Sequence, residues 1–82
     1  MSGPAAWGPF LPNVEPAERL ARLRGLRVAV RLICGTRGRD VEAALRQAER
    51  NDAALPNAER EFDRLASLDR RRILSSFGSA AL

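Results

Sequence analysis

Residues 16–34 are PAERLARLRGLRVAVRLIC, and the conformation of this segment determines the class of the whole chain. Apolar residues recur along it at helical spacing, namely Leu20, Leu23, Leu26, Val30 and Ile33. Pro16 suits the first turn of a helix, and Glu18 is placed to interact with the positive end of the helix dipole. Gly35 is a natural stop. The pattern predicts a first helix from about Pro16 to Cys34.

A β-strand is the competing interpretation of the second half of this segment. Gly25 and Gly35 bracket residues 26–34, which are rich in β-branched residues and partly alternate in polarity. The rest of the chain offers no convincing second strand, and a lone strand would leave its backbone groups unpaired. We therefore favour the helix.

A second helix follows a loop at residues 35–39. Asp40 has the residue type of an N-cap. Apolar residues at i, i+3, i+4 and i+7 give this helix one buried face, which comprises Val41, Ala44, Leu45 and Ala48. The helix should end near Asn51, before Pro56.

A third helix is predicted from a cap at Asn57 to a stop at Gly78. Its apolar face comprises Phe62, Leu65, Ala66, Ile73 and Phe77. Asp69 interrupts that face. We favour one continuous helix in which Asp69 pairs with an arginine of the first helix; the alternative is a break, with Asp69 capping a short fourth helix.

The fold class that follows is all-α. We expect a small three-helix domain over residues 17–78, possessing a short fourth helix if the chain breaks at Asp69, and a C-terminal tail at residues 79–82. The whole chain has 82 residues, which is enough for one modest core.

Residues 1–16 form an N-terminal arm rich in proline and glycine, which predicts an extended backbone. No charged side chain occurs between residues 2 and 14, and the arm carries large apolar side chains that include Trp7, Phe10 and Leu11. Two interpretations remain open. The arm folds back over its own helices, or it docks into a neighbouring molecule with these side chains as anchors.

The composition argues against an enzyme. The chain has no His and no Tyr, and all 14 basic residues are Arg. General acid–base chemistry would need a carboxylate of strongly raised pKa, and Schiff-base chemistry needs a lysine. One cysteine, Cys34, cannot build a His/Cys metal site or an internal disulfide. We expect no cofactor, no metal and no small-molecule substrate.

The N-terminus does not resemble a signal peptide, because it lacks a basic start and prolines interrupt its apolar part. No apolar run reaches the roughly 18–20 residues that a membrane span needs. We expect a protein of the cytoplasm or of a virion-type assembly.

The net charge of +4 conceals a separation of charge along the chain. Residues 19–39 carry seven arginines and no acid, whereas residues 40–69 carry eight acids and four arginines. On a helix, Arg24, Arg27 and Arg31 lie at i, i+3 and i+7 and form one basic face. Several interpretations of this basic face are open. It is exposed to solvent or pairs with acidic residues of the same chain. Alternatively, it binds an acidic protein surface or a phosphate backbone.

The loop between the first two helices is Gly35-Thr36-Arg37-Gly38-Arg39. A helix, a Gly-x-x-Gly loop with a basic residue and a second helix resemble the nucleic-acid clamp of K-homology domains. By this resemblance Gly35, Arg37 and Gly38 would contact nucleic acid, with Arg37 adding charge. Arg39 is a further basic residue of the loop. The match covers about 13 residues, and the three-stranded sheet of that family has no counterpart after Asn51. An ordinary glycine turn between helices is the alternative.

These features favour a non-enzymatic protein-binding or structural subunit, or an adaptor, of a larger assembly. Its partner would be another protein or copies of itself, bound by the apolar arm and the arginine face; a phage or viral component would have this form. The alternative is a nucleic-acid-binding protein that uses the first helix and the Gly35–Gly38 loop. A weaker third candidate is an inhibitor that occupies the site of an enzyme.

Overall fold

The computed structural model describes residues 7–81, with side chains described from residue 7 to residue 76. Within these residues the chain forms four α-helices: α1 (Pro16–Cys34), α2 (Arg39–Arg50), α3 (Leu55–Asp63) and α4 (Ser67–Ala81). Short 3₁₀ turns cover Gly8–Phe10, Gly35–Gly38 and Asp52–Ala54. Residues 7–81 contain no β-strand, so the all-α expectation is confirmed.

Helix α1 is the centre of the fold, because α2, α4 and the Gly8–Phe10 turn of the N-terminal arm all pack against it. The segment that could have been a strand, residues 26–34, is helical. Its buried residues are spaced by three or four positions, and they join apolar side chains of α2, α3 and α4 in one core: Leu23, Leu26, Val30, Cys34, Val41, Ala44, Leu45, Ala48, Ala58, Phe62, Leu65 and Ile73. Burial of this single face explains why the helix is preferred over a lone strand.

A tight turn brings α2 directly back along α1. Gly35 adopts φ of 58°, a left-handed conformation that ends α1 and that favours glycine. Gly38 is buried, and a Cβ atom at this position would lie 2.5 Å from Val30 Cγ1. The second glycine therefore permits close packing of the two helices. Asp40 is not the N-cap that we expected, since α2 begins at Arg39 and places Asp40 in its first turn.

The predicted third helix is in fact two helices, so the prediction of one continuous helix is wrong. Helix α3 ends at Asp63 and α4 begins at Ser67. Arg70 turns back over the break and donates hydrogen bonds to the carbonyl oxygens of Asp63 and Leu65. These bonds satisfy carbonyl groups that the break leaves without a helical partner, and they keep Arg70 from crowding the positive end of α4.

The break lets Asp69 meet an arginine of the turn rather than of α1. Arg37 donates from Nε to Asp69 Oδ2 at 3.3 Å and from Nη2 to Oδ1 at 3.1 Å. The Asp69 side chain is only 9% exposed. This two-bond ion pair fastens the start of α4 to the turn between α1 and α2.

Two further predicted helix ends need correction. Helix α3 begins at Leu55 rather than after a cap at Asn57, because Pro56 occupies its first turn, where a proline loses no helical hydrogen bond. The side chain of Asn51 instead accepts a hydrogen bond from the Ala53 amide of the preceding 3₁₀ turn. Helix α4 continues through Gly78 to Ala81, so the expected tail at residues 79–82 is helical as far as Ala81.

The described part of the arm, residues 7–15, packs on the chain's own helices. Trp7 lies 5.1 Å from Phe62 and 5.4 Å from Phe10 between ring centroids, and Pro9 is buried. Arg19 and Arg22 of α1 donate hydrogen bonds of 3.1 Å to the carbonyl oxygens of Pro9 and Gly8. The prolines of the arm have no N–H group to donate, so few backbone donors are available there, and these arginines supply donors to its carbonyl oxygens.

Candidate binding site

The predicted arginine face of α1 divides into two parts along the seam between α1 and α2. At one part, which we call the paired end, Arg24 and Arg27 converge on Glu49 of α2. Arg27 Nε lies 2.7 Å from Glu49 Oε2, and Arg24 Nε lies 3.6 Å from Oε1. The Glu49 side chain is only 11% exposed, so its charge depends on these partners. The paired end is therefore part of the fold.

The other part, which we call the open end, is a shallow groove of about 530 Å³ next to the α1–α2 turn. It is lined by Arg31, Gly35, Thr36, Arg39, Glu42, Ala43 and Arg46. Among the side chains of residues 7–76, Arg31, Arg39 and Arg46 form no ion pair and no hydrogen bond. Three guanidinium groups thus share one groove with a single carboxylate, that of Glu42. The local charge of the groove is therefore positive.

Two aliphatic side chains border the open end on the outward face of α1. Leu32 is 80% exposed and Val28 is 52% exposed. They are four residues apart, which places them about 6 Å apart along the helix on one row. Arg31 is adjacent to Leu32 in sequence and three residues after Val28, so it separates the groove from this row. The combined surface is apolar along one edge and cationic along the other.

Of the loop residues that resemble a K-homology clamp, some stabilise the fold and the others line the groove of the open end. Gly38 is buried against Val30 and Cys34, and Arg37 is committed to Asp69. Neither position is therefore arranged as the resemblance implies, and residues 7–81 supply no strand for the sheet of that family. Gly35 and Arg39 do line the open end, where Gly35 has open space around its Cα atom.

The arm residues proposed as anchors, Trp7, Phe10 and Leu11, are half-buried on the protein itself. Trp7 and Phe10 pack against the core, so the structure agrees with the first of the two interpretations given above, in which the arm covers its own helices. These side chains do not extend the surface of the open end.

Cys34 lies below the α1–α2 turn and is buried. Burial raises the pKa of the Cys34 thiol above its ordinary value, and the Asp69 carboxylate raises it further, while Arg37 acts in the opposite direction. A neutral, inaccessible thiol suits an apolar packing role. The described residues also contain no group of three or more His, Cys, Asp or Glu side chains that could hold a metal ion.

Compared with known proteins, the chain matches no family model, no curated protein and no solved structure. Across the described residues, no helix combines the length and the apolar character that crossing a membrane requires.

Sequence reasoning missed part of the open end. It identified Arg31, Gly35 and Arg39, but it did not identify Arg46 or Leu32. Arg46 and Arg39 are seven residues apart in α2 and therefore share one face, so their spacing was a usable signal. The exposure of Leu32 could not be read from the sequence, because residues 26–34 are apolar around most of the helix.

Proposed function

We propose that the protein is a non-enzymatic protein-binding subunit or adaptor that docks through the open end of the α1–α2 seam and the adjoining row of Val28 and Leu32. The observation that carries this proposal is that Arg31, Arg39 and Arg46 find no ion-pair partner among the side chains of residues 7–76 and lie beside a leucine that is 80% exposed.

The contrast with the rest of the protein supports this proposal. The described part of the arm lies on the core, Asp69 pairs with Arg37, and Glu49 pairs with two arginines. A small protein gains no stability from three like charges in one groove or from an aliphatic side chain in water. Such residues are explained more simply by contact with a second molecule, since interfaces combine apolar contact with Arg.

Proximity cross-linking in the native cell tests the proposal. A photoreactive amino acid at position 32 should cross-link to a discrete protein, whereas the same group at Pro56, which is exposed in α3 and does not line the groove, should not. Cross-links to a second copy of this chain would identify self-assembly, which mass measurement in solution would confirm. The absence of any protein cross-link from position 32 would contradict the proposal.

Binding of nucleic acid is the second candidate, and it is favoured by the three arginines of the open end, which have no ion-pair partner in the described part of the chain. Phosphate contacts predict an affinity for a single-stranded oligonucleotide that falls steeply with salt. A filter-binding titration at several salt concentrations tests this, with the variant R31Q/R39Q/R46Q expected to lose binding. No binding by the natural sequence at low salt would exclude this candidate.

A further inference from the structure

The chemistry of the open end and its border narrows the kind of partner. The groove carries three guanidinium groups that pair with no described side chain, and the row of Val28 and Leu32 runs beside the groove, with Arg31 between the groove and the row. A partner that covers both must present carboxylates along one edge and aliphatic side chains along the other. A phosphate backbone supplies the first property but offers nothing aliphatic to cover Leu32.

The secondary structure of the protein also limits the partner's backbone. Residues 7–81 form no strand, so this surface has no sheet edge with which an extended peptide could pair. An extended partner would leave many backbone groups without protein hydrogen bonds on the covered side. A helix satisfies its own backbone, and its i, i+4 rows have the same rise of about 6 Å as the row of Val28 and Leu32.

Building on the proposed function, we infer that the occupant of this surface is an acidic amphipathic helix of a partner protein. Its aliphatic row packs on Val28 and Leu32. Its glutamate or aspartate side chains bind Arg31, Arg39 and Arg46, which is the charge complementarity that the groove requires. Glu42 also lines the groove, and its negative charge limits the anionic charge that the site accepts, which disfavours a dense polyanion.

A defined peptide tests this inference on the full chain. The probe is an end-capped helix of about 18 residues, long enough to be helical, built from Leu, Glu and Ala with Leu on one i, i+4 row and Glu on the flanking rows. One control peptide has Lys in place of Glu, and a second has the same composition with the leucines scattered around the helix. Oligodeoxythymidylate is the nucleic-acid probe.

Binding is followed by amide chemical shifts of the isotope-labelled protein. We expect saturable shifts at residues 28–46 with the Glu peptide and not with either control peptide. The variant R31Q/R39Q/R46Q should weaken binding roughly tenfold, since each exposed ion pair contributes up to about 1 kcal/mol. The matched variant R50Q/R60Q/R71Q removes the same charge from exposed arginines elsewhere and should leave the affinity within about twofold.

A second pair of variants tests the apolar edge. Leu32→Ser should weaken the binding of the Glu peptide, whereas Leu68→Ser, at another exposed leucine, should leave that binding unchanged. No saturable shifts, equal binding of a control peptide, equal loss in the two triple variants, or tighter binding of the oligonucleotide would overturn the inference. If the Glu peptide fails but position 32 still cross-links to a protein in the cell, only the helical acidic occupant is wrong. If both experiments fail, the proposed function is also wrong.

Discussion

The paired and open ends of the α1–α2 seam contain the same kinds of side chain but differ in how their charges are balanced. At the paired end, two arginines of α1 meet one carboxylate that is nearly buried, and Arg27 approaches it to 2.7 Å. At the open end, one arginine of α1 and two of α2 surround Glu42, and none of the three pairs with it. The Glu42 residue is partly exposed.

The difference shows that an arginine row on one helix can serve two purposes. Arg27 compensates a carboxylate that would otherwise lose its hydration, so its removal would leave a buried charge unpaired. Arg31, one turn further along α1, compensates nothing in the described part of the chain. Residues that folding does not require are candidates for binding, because sites for partners are commonly kept at some cost to stability.

The largest effect should come from disturbing the turn that joins the two helices. Gly38→Ala would place a Cβ atom 2.5 Å from Val30 Cγ1 and 3.0 Å from the Cys34 Cβ atom. Val30 is β-branched and buried, so α2 must move away from α1, and both ends of the seam would be disturbed. We expect a loss of about 1–3 kcal/mol in the free energy of unfolding, measured by urea denaturation.

Gly25→Ala is the control for this substitution, since Gly25 is exposed in the middle of α1. It should stabilise the protein by up to about 1 kcal/mol, because alanine is the better helix former. If the Gly38→Ala variant were as stable as the Gly25→Ala variant, the close approach of α1 and α2 at Gly38 would be contradicted.

The two glutamates of the seam give the most direct contrast between its ends. Glu49→Gln keeps the shape of the side chain but removes the charge that Arg24 and Arg27 share, and we expect a loss of about 1–2 kcal/mol in unfolding free energy. Glu42→Gln at the open end should change the free energy of unfolding by less than about 0.5 kcal/mol. Equal losses in the two variants, measured by urea denaturation under the same conditions, would remove the distinction between the ends.

A smaller effect should appear at alkaline pH through Cys34, which lies beneath the turn. Burial and Asp69 raise its pKa, so the thiol of the unfolded chain ionises first as the pH rises through its ordinary value of 9.0. The unfolded state then binds fewer protons than the folded state, and stability falls with rising pH. Below that value Cys34 contributes no pH dependence.

The measurement is the unfolding free energy of the natural protein and of Cys34→Ala at pH 7 and at about pH 10. The natural protein should lose more stability over this interval than the variant loses. An equal loss in both would show that the thiol is not shielded as the structure indicates.

The sequence predicted the helical core well because the core depends on local spacing. Leu23, Leu26 and Val30 recur every three or four residues, and the face that they define is the buried face of α1. The bounds of α1 were also predicted, because the backbone preferences of Pro16 and Gly35 are properties of the residues themselves and do not depend on distant contacts.

The break before α4 could not be predicted in the same way. It depends on Arg70 reaching the carbonyl groups of α3 and on Asp69 reaching Arg37, which is 32 residues away in sequence. The division of the arginine face has the same origin. Whether Arg27 or Arg31 finds a carboxylate depends on how α2 lies across α1, and the spacing within α1 is identical in either case.

The central claim is that the arginines of the open end are not needed for the fold, and the stability of R31Q/R39Q/R46Q tests it most directly. Urea denaturation of this variant at low salt should give an unfolding free energy equal to or above that of the natural protein, because the substitutions remove mutual repulsion and break no ion pair among the described residues. Arg27→Gln, at the paired end, should destabilise the protein in the same experiment. A loss of more than about 1 kcal/mol in the triple variant would show that these arginines stabilise the fold, and it would contradict their assignment to a partner.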